Sequence, residues 1–176
     1  MEKTLDKVGY VKESCATNHG ERTVIHGIFT PGAMAPTHYH TEFNESFEVL
    51  DGELAVWDKG KKTTLKSGDR VTISIGNHHR FKNESDKPVT LIITLEPGYI
   101  TFEHNINIMR GLQDEGVLEQ LSKMTPRMVP MGMIMTELSN TKLVGITGIM
   151  FKLISLFYSK KKIARRKKEL LEKYCS

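Results

Sequence analysis

The sequence predicts an all-β core, a small barrel or sandwich, followed by C-terminal α-helices. Three observations carry this. Short runs of β-branched and aromatic residues, separated by Gly-centred turns, recur at roughly 8–12-residue spacing up to Leu95. After Tyr99 the composition changes, and from Arg110 the apolar residues fall at helical spacing. The length, 176 residues, suits one domain with an appendage, and 39% apolar composition is far from that of a disordered chain.

In chain order, Thr4 to Phe29 reads as entry strands. The run Arg22 to Thr30 is rich in strand formers and stops at the turn signal Pro31-Gly32. His19 falls in a polar turn and His26 in a strand, and both read as structural. Ser46 to Leu50 alternates as a strand should, Asp51-Gly52 is a hairpin turn, and Glu53 to Asp58 is the return strand. Lys59 to Lys62 is a charged turn. Arg70 to Ile75 and His79 to Asn83 are strands about Gly76-Asn77, and Val89 to Leu95 is a buried strand ending at Pro97-Gly98. Residues 100–109 are read as a further contribution of the β-core, so that residues 1–109 form the barrel and 110–176 the helical extension. Asp114 to Met124 has apolar residues at 117, 118, 121 and 124, a helical spacing. The methionines of the 128–138 segment are read as gap-filling core.

Charge is unevenly spread. The chain has 25 basic and 21 acidic side chains; residues 159–176 hold eight and two of these, leaving 17 and 19 in a near-neutral body. Cys15 and Cys175 make no disulfide framework and no metal-ligand spacing, which suits a reducing compartment, although a bridge between them stays open. The first residues, MEKTLDKVGYVKES, show no secretory signal, and Cys175 is misplaced for prenylation. A cytoplasmic location is expected.

Two stretches carry chemistry. In GAMAPTHYHTEFNESFEVLDG, Gly32 to Gly52, His38 and His40 sit two apart and share one face of an extended strand. Glu45 follows closely enough for a turn to bring its carboxylate back to them. A second stretch, Gly68 to Asn83, supplies a third imidazole from His78 or His79, of which only one can face inward. Three imidazoles and one carboxylate suit Fe, Mn, Ni, Co, Cu or Zn and serve Ca or Mg poorly.

These stretches resemble the two signature motifs of the cupin superfamily. The first, G-x5-H-x-H-x4-E-x6-G, is met at Gly32, His38, His40, Glu45 and Gly52. The second, G-x5-P-x-G-x2-H-x3-N, is met at Gly68, Gly76, His79 and Asn83, with Ser74 where the family usually has proline. The resemblance covers roughly residues 20–100 and implies a double-stranded β-helix, or jelly-roll barrel, with its site inside. It assigns His38, His40, Glu45 and His79 as ligands of a divalent transition metal. By parity with these, Phe47, Val49 and Phe81 are expected to line the pocket, with Phe43, Trp57 and Tyr99 as further wall candidates; Arg80 and Glu42 are expected in solvent.

Gly148 to Tyr174 reads as one long amphipathic helix, with positions 146, 149, 150, 153 and 157 on one face and a basic distal half. Packing on the barrel, dimerisation and an anionic membrane surface are its three open readings, with packing on the barrel or a partner subunit preferred. A homodimer is expected. The Lys/Arg run lacks an aromatic platform or reader motif, so no nucleic acid is expected, and no helix-turn-helix flanks the barrel. The metal implies one of two functions. One is catalysis on a small organic molecule, as a dioxygenase-like oxygenase or isomerase. The other is non-catalytic binding of a small ligand by a storage or sensor protein. The residues do not choose between them.

Overall fold

The computed structural model describes residues 9–117 and 128–175, and shows two five-stranded antiparallel sheets followed by helices. The strands are β1 (Tyr10–Glu13), β2 (Thr23–Phe29), β3 (Met34–Tyr39), β4 (Asn44–Asp51), β5 (Glu53–Asp58), β6 (Lys61–Lys66), β7 (Arg70–Ile73), β8 (His79–Lys82), β9 (Val89–Glu96) and β10 (Lys142–Leu143). The first sheet has the order β1-β2-β9-β4-β7 and the second β10-β3-β8-β5-β6. Apart from the paired β1–β2 and β5–β6, consecutive strands cross between sheets, the jelly-roll arrangement expected from the sequence.

The core follows from period-two patterning. On β4, Glu45, Phe47 and Val49 point inward, and on β9 Val89, Leu91, Ile93 and Leu95 do so. These residues join Ile25, Leu54, Val56, Leu65 and Ile73 in one apolar cluster between the sheets. Fully burying one such large side chain stabilises the fold by roughly 1.5–3 kcal/mol. Two of the motif residues outside the ligand set have visible structural work. Gly52, at φ 85, turns the chain from β4 in one sheet to β5 in the other rather than closing the hairpin expected there, and a Cβ on it would lie 3.0 Å from the Pro88 carbonyl oxygen. Asn83, fully buried, donates to the carbonyls of Phe29 and Lys87 and accepts from Ser85, holding the loop between β8 and β9.

The helices are α1 (Ile100–Asp114), α2 (Met128–Leu138), α3 (Gly145–Ser155) and α4 (Lys160–Tyr174). Three expectations are corrected here. Residues 100–109 are helical, because Phe102 and Ile106, four apart, pack onto the barrel core while Ile108 and Leu112, four apart, pack against the other helices. Lys61 and Lys62 belong to β6, leaving Lys59-Gly60 as the turn. The expected single helix over 148–174 is two helices, broken between Ser155 and Lys160, where Ser159 caps α4 through Lys162 N–H. Most of the helix expected at Asp114 to Met124 lies outside the described residues.

The helices build a second small core from Ile108, Leu112, Ile134, Leu138, Ile163 and Leu170. Met131, Met133 and Met135 pack against it, as gap-filling methionines should. At Gly111 an added Cβ would lie 2.2 Å from the Tyr174 ring, so only glycine lets α1 and α4 approach this closely. Cys15 and Cys175 are both free thiols.

Candidate metal centre

His38 ends an inward-facing alternation on β3, and His40 continues it one residue past the strand, with Tyr39 turned outward between them. Glu45 opens the inward face of β4 in the opposite sheet. His79 begins β8 and lies directly opposite His38 in the β3–β8 register. A backbone bond from Gly76 N–H to the His40 carbonyl (2.9 Å) pins the β7–β8 turn beside the site.

One ligating atom from each of His38, His40, Glu45 and His79 lies within 4.8 Å of all the others, and every one of these residues is buried. His78, the competing imidazole, is exposed and stacks on Tyr39 at 5.4 Å between ring centroids. The structure places together the four side chains that the sequence singled out.

The hydrogen bonds around the rings point to a cation. His38 Nδ1 faces the Pro36 carbonyl at 2.8 Å, His79 Nδ1 the Asn77 carbonyl at 3.0 Å, and His40 Nδ1 the Asn140 carbonyl at 3.3 Å. A carbonyl oxygen only accepts, so each Nδ1 carries the proton. Each neutral ring then turns its Nε2 lone pair inward, toward a carboxylate that is also an acceptor. His40 Nε2 is buried without a hydrogen-bond partner among the described residues, 3.5 Å from Glu45 Oε2. Four converging acceptors are costly unless a positive charge sits among them.

Without a metal, a proton is the available substitute. Burial alone would raise the Glu45 carboxyl, but the neighbouring His40 ring and the hydrogen bond with His79 hold it far below the usual carboxylate range, so it is anionic. Burial opposes charge on His79 too, yet Glu45, 3.0 Å from its Nε2, raises it above the ordinary imidazole value. His38, desolvated and beside His79, is pushed down to about 4 and stays neutral. A divalent ion fits this donor set in place of the His79 proton.

The surroundings divide in two. Phe43 stacks on His40 at 4.6 Å, and Phe102 of α1 stands edge-on to both. The expected wall residues lie deeper: Phe47 and Val49 are fully buried in the core, and Phe81 packs between Phe29 and Phe47. A separate groove of about 760 Å³ reaches the centre only at His79 and is lined by Thr37, Trp57, Lys59, Asn77, His78 and Arg80. None of Phe47, Val49 and Phe81 lines it, because their inward parity commits them to the apolar interior. Of the residues expected in solvent, Glu42 is exposed, whereas Arg80 lies flat on Trp57 at 3.9 Å.

The sequence reading missed the part played by the extension. After α2 the chain turns at Asn140, a residue with φ 52, and then pairs as β10 with β3, placing Leu143 opposite His38 and Lys142 opposite Tyr39. The Asn140 carbonyl faces His40 Nδ1, while its side-chain Oδ1 accepts from Thr41 N–H (2.8 Å) and Thr41 Oγ1 (3.0 Å). Asparagine just past a helix is a known left-handed stop signal, but nothing in its neighbourhood ties it to residue 40. An Asn140→Gly variant tolerates the positive φ and loses only the side chain. It is expected to bind metal about tenfold more weakly in chelator competition, the usual cost of loosening a ligand's support. Unchanged affinity would show that the Asn140 side chain is not needed to hold this carbonyl on His40.

Comparison with known proteins agrees with this geometry. The family model described as the cupin domain matches residues 25–95. An uncharacterized protein of Aquifex aeolicus (strain VF5) is 39% identical over 72 residues, 41% of this chain and 58% of that protein. Polyketide synthase CurC of Streptomyces cyaneus is 31% identical over 70 residues, 40% of this chain and 46% of the other. Gentisate 1,2 dioxygenase 1 of Aquipseudomonas alcaligenes is 32% identical over 74 residues, 42% of this chain and 21% of that enzyme. The chain spans about half the length of the first two relatives and about a fifth of the third. With the two motifs and the central strands of both sheets falling on the segment that the family model matches, residues 25–95 form a cupin-superfamily domain.

Proposed function

We propose that this chain holds a divalent transition metal on His38, His40, Glu45 and His79 and acts there on a small organic molecule, as an oxygenase or isomerase. The observation that carries the metal is the set of three rings with Nδ1 committed to carbonyls and Nε2 turned onto one buried carboxylate. A metal so bound supplies Lewis acidity and, if it is iron or copper, redox chemistry. Glu45 provides the single negative charge of the site, and the carbonyls of residues 36, 77 and 140 fix the rings. Similarity to a gentisate dioxygenase supports the oxygenase reading.

A second reading, non-catalytic ligand storage or sensing, is favoured by one observation. No ligand residue is more than 5% exposed, and Phe43 and Phe102 crowd His40, so the centre is closed.

Elemental analysis of purified protein, beside a His38→Ala/His40→Ala variant, tests the metal. Near one ion per wild-type chain and almost none in the variant is the expected result; equal content removes the site. Oxygen uptake by iron-loaded protein with small phenolic or hydroxy-acid substrates then separates the readings. Consumption favours the oxygenase; without it, conversion of a substrate in the panel to an isomer favours the isomerase, and neither change favours the closed binding protein.

A further inference from the structure

One face of the helical extension has no partner. On α3, Ile146, Ile149, Met150 and Leu153 share a face, and the following turn adds Leu156 and Phe157; their exposures run from 55% to 88%. Among the described residues α3 buries none of its own, although Phe151 reaches toward Gly132 of α2. Of the preferred sequence reading, packing on the barrel or on a partner subunit, the barrel half is therefore not met by this face of positions 146, 149, 150, 153 and 157. α4 is buried instead among the other helices, through Ile163 and Leu170 in the helical core. Contiguous apolar patches of this kind mark interaction sites.

A second observation identifies the partner's chemistry. Lys160, Lys161 and Lys162 follow Phe157 almost at once and are exposed. Among the described residues they have no carboxylate partner, whereas Lys167, Lys168 and Lys173 each have one. Between Glu137 and Glu169 the chain contains no acidic residue at all. The apolar patch and the unneutralised charge are thus adjacent. A second copy docking face to face would bring two such clusters of like charge together, which disfavours a dimer through this surface.

We infer that α3 and the first turn of α4 dock the protein on an anionic lipid surface. The apolar side chains enter the boundary between headgroups and acyl chains, and the lysines meet the phosphates. The helix lies in the plane of the surface. At 11 residues α3 is about 16 Å long, roughly half a hydrocarbon core, and no helix among the described residues is long and apolar enough to cross a membrane. This inference is independent of the metal.

Co-sedimentation of the full-length protein with vesicles tests it. Binding is expected with phosphatidylcholine vesicles containing phosphatidylserine. It should fall about tenfold or more with phosphatidylcholine alone, in an Ile149→Asn/Leu153→Asn variant, and in a Lys160→Ser/Lys161→Ser/Lys162→Ser variant. A Phe157→Trp chain should show blue-shifted emission on the anionic vesicles only. All these positions are exposed, so unchanged far-ultraviolet dichroism is expected as the control for folding. Absent binding, or equal binding to neutral and anionic vesicles, overturns the inference. So does a solution dimer that the Ile149→Asn/Leu153→Asn variant converts to monomer, since that face would then belong to a second copy.

Discussion

A Glu45→Gln variant is expected to purify with less than about a tenth of the wild-type metal content. Loosening a ligand's support costs 10–100-fold in affinity, and deleting the one anionic ligand costs more. Glutamine keeps the shape of Glu45 but removes the carboxylate of the four-residue cluster, whose other members are imidazoles. Thermal melts with and without added metal give an independent readout. Because an ion bound only to the folded state stabilises it by mass action, wild type should melt higher with metal, and Glu45→Gln should not respond. A His78→Ala variant should behave as wild type, since that ring lies outside on Tyr39. Equal metal content and an equal thermal shift in Glu45→Gln would remove the centre from this place in the fold.

The second large effect concerns a carboxylate in the fold's framework. Glu103 of α1 is buried and accepts from Ser14 Oγ (2.6 Å), Cys15 N–H (2.8 Å) and Thr23 Oγ1 (2.6 Å). It fastens the first helix to β2 and to the 3-10 turn at Cys15–Thr17. Glu103→Ala strands these donors and is expected to cost about 3 kcal/mol at neutral pH, or roughly 10 °C in Tm. The pH dependence has a definite sign. Burial alone would raise this carboxyl, but the bonds from Ser14, Thr23 and Cys15 hold it below its ordinary value of 4.5. A group depressed in the folded state contributes in full above its unfolded pKa, and loses that contribution as pH falls through the folded one. The gap between wild type and Glu103→Ala should therefore be constant near neutrality and narrow below about pH 4.5. Denaturant melts across that range check this, and a gap that widened on acidification would mean Glu103 is not held as an anion.

Much of the centre was legible because its ligands obey a local rule. His38 and His40 share a face through the period of a strand, and His79 was separated from His78 by its spacing to Asn83 within the second motif. The same rule misled at the walls. Parity placed Phe47, Val49 and Phe81 on the inside correctly, but could not say how deep each lies, and the interior there is packed rather than open. Depth depends on what the facing sheet and α1 insert, and the sequence of one strand holds no record of it.

By itself the sequence determined the strand order along the chain, the turns, the inward faces and the identity of the four converging side chains, all consequences of period and turn chemistry within a few residues. Only the tertiary structure decided what the extension does. Asn140 reaches His40 and Thr41 across about a hundred positions, β10 completes the second sheet, and α4 finds its core while α3 leaves its apolar face in solvent. The reason is that a helix's apolar stripe fixes which face seeks burial, but the choice among barrel, helix and lipid depends on surfaces assembled from distant segments of chain.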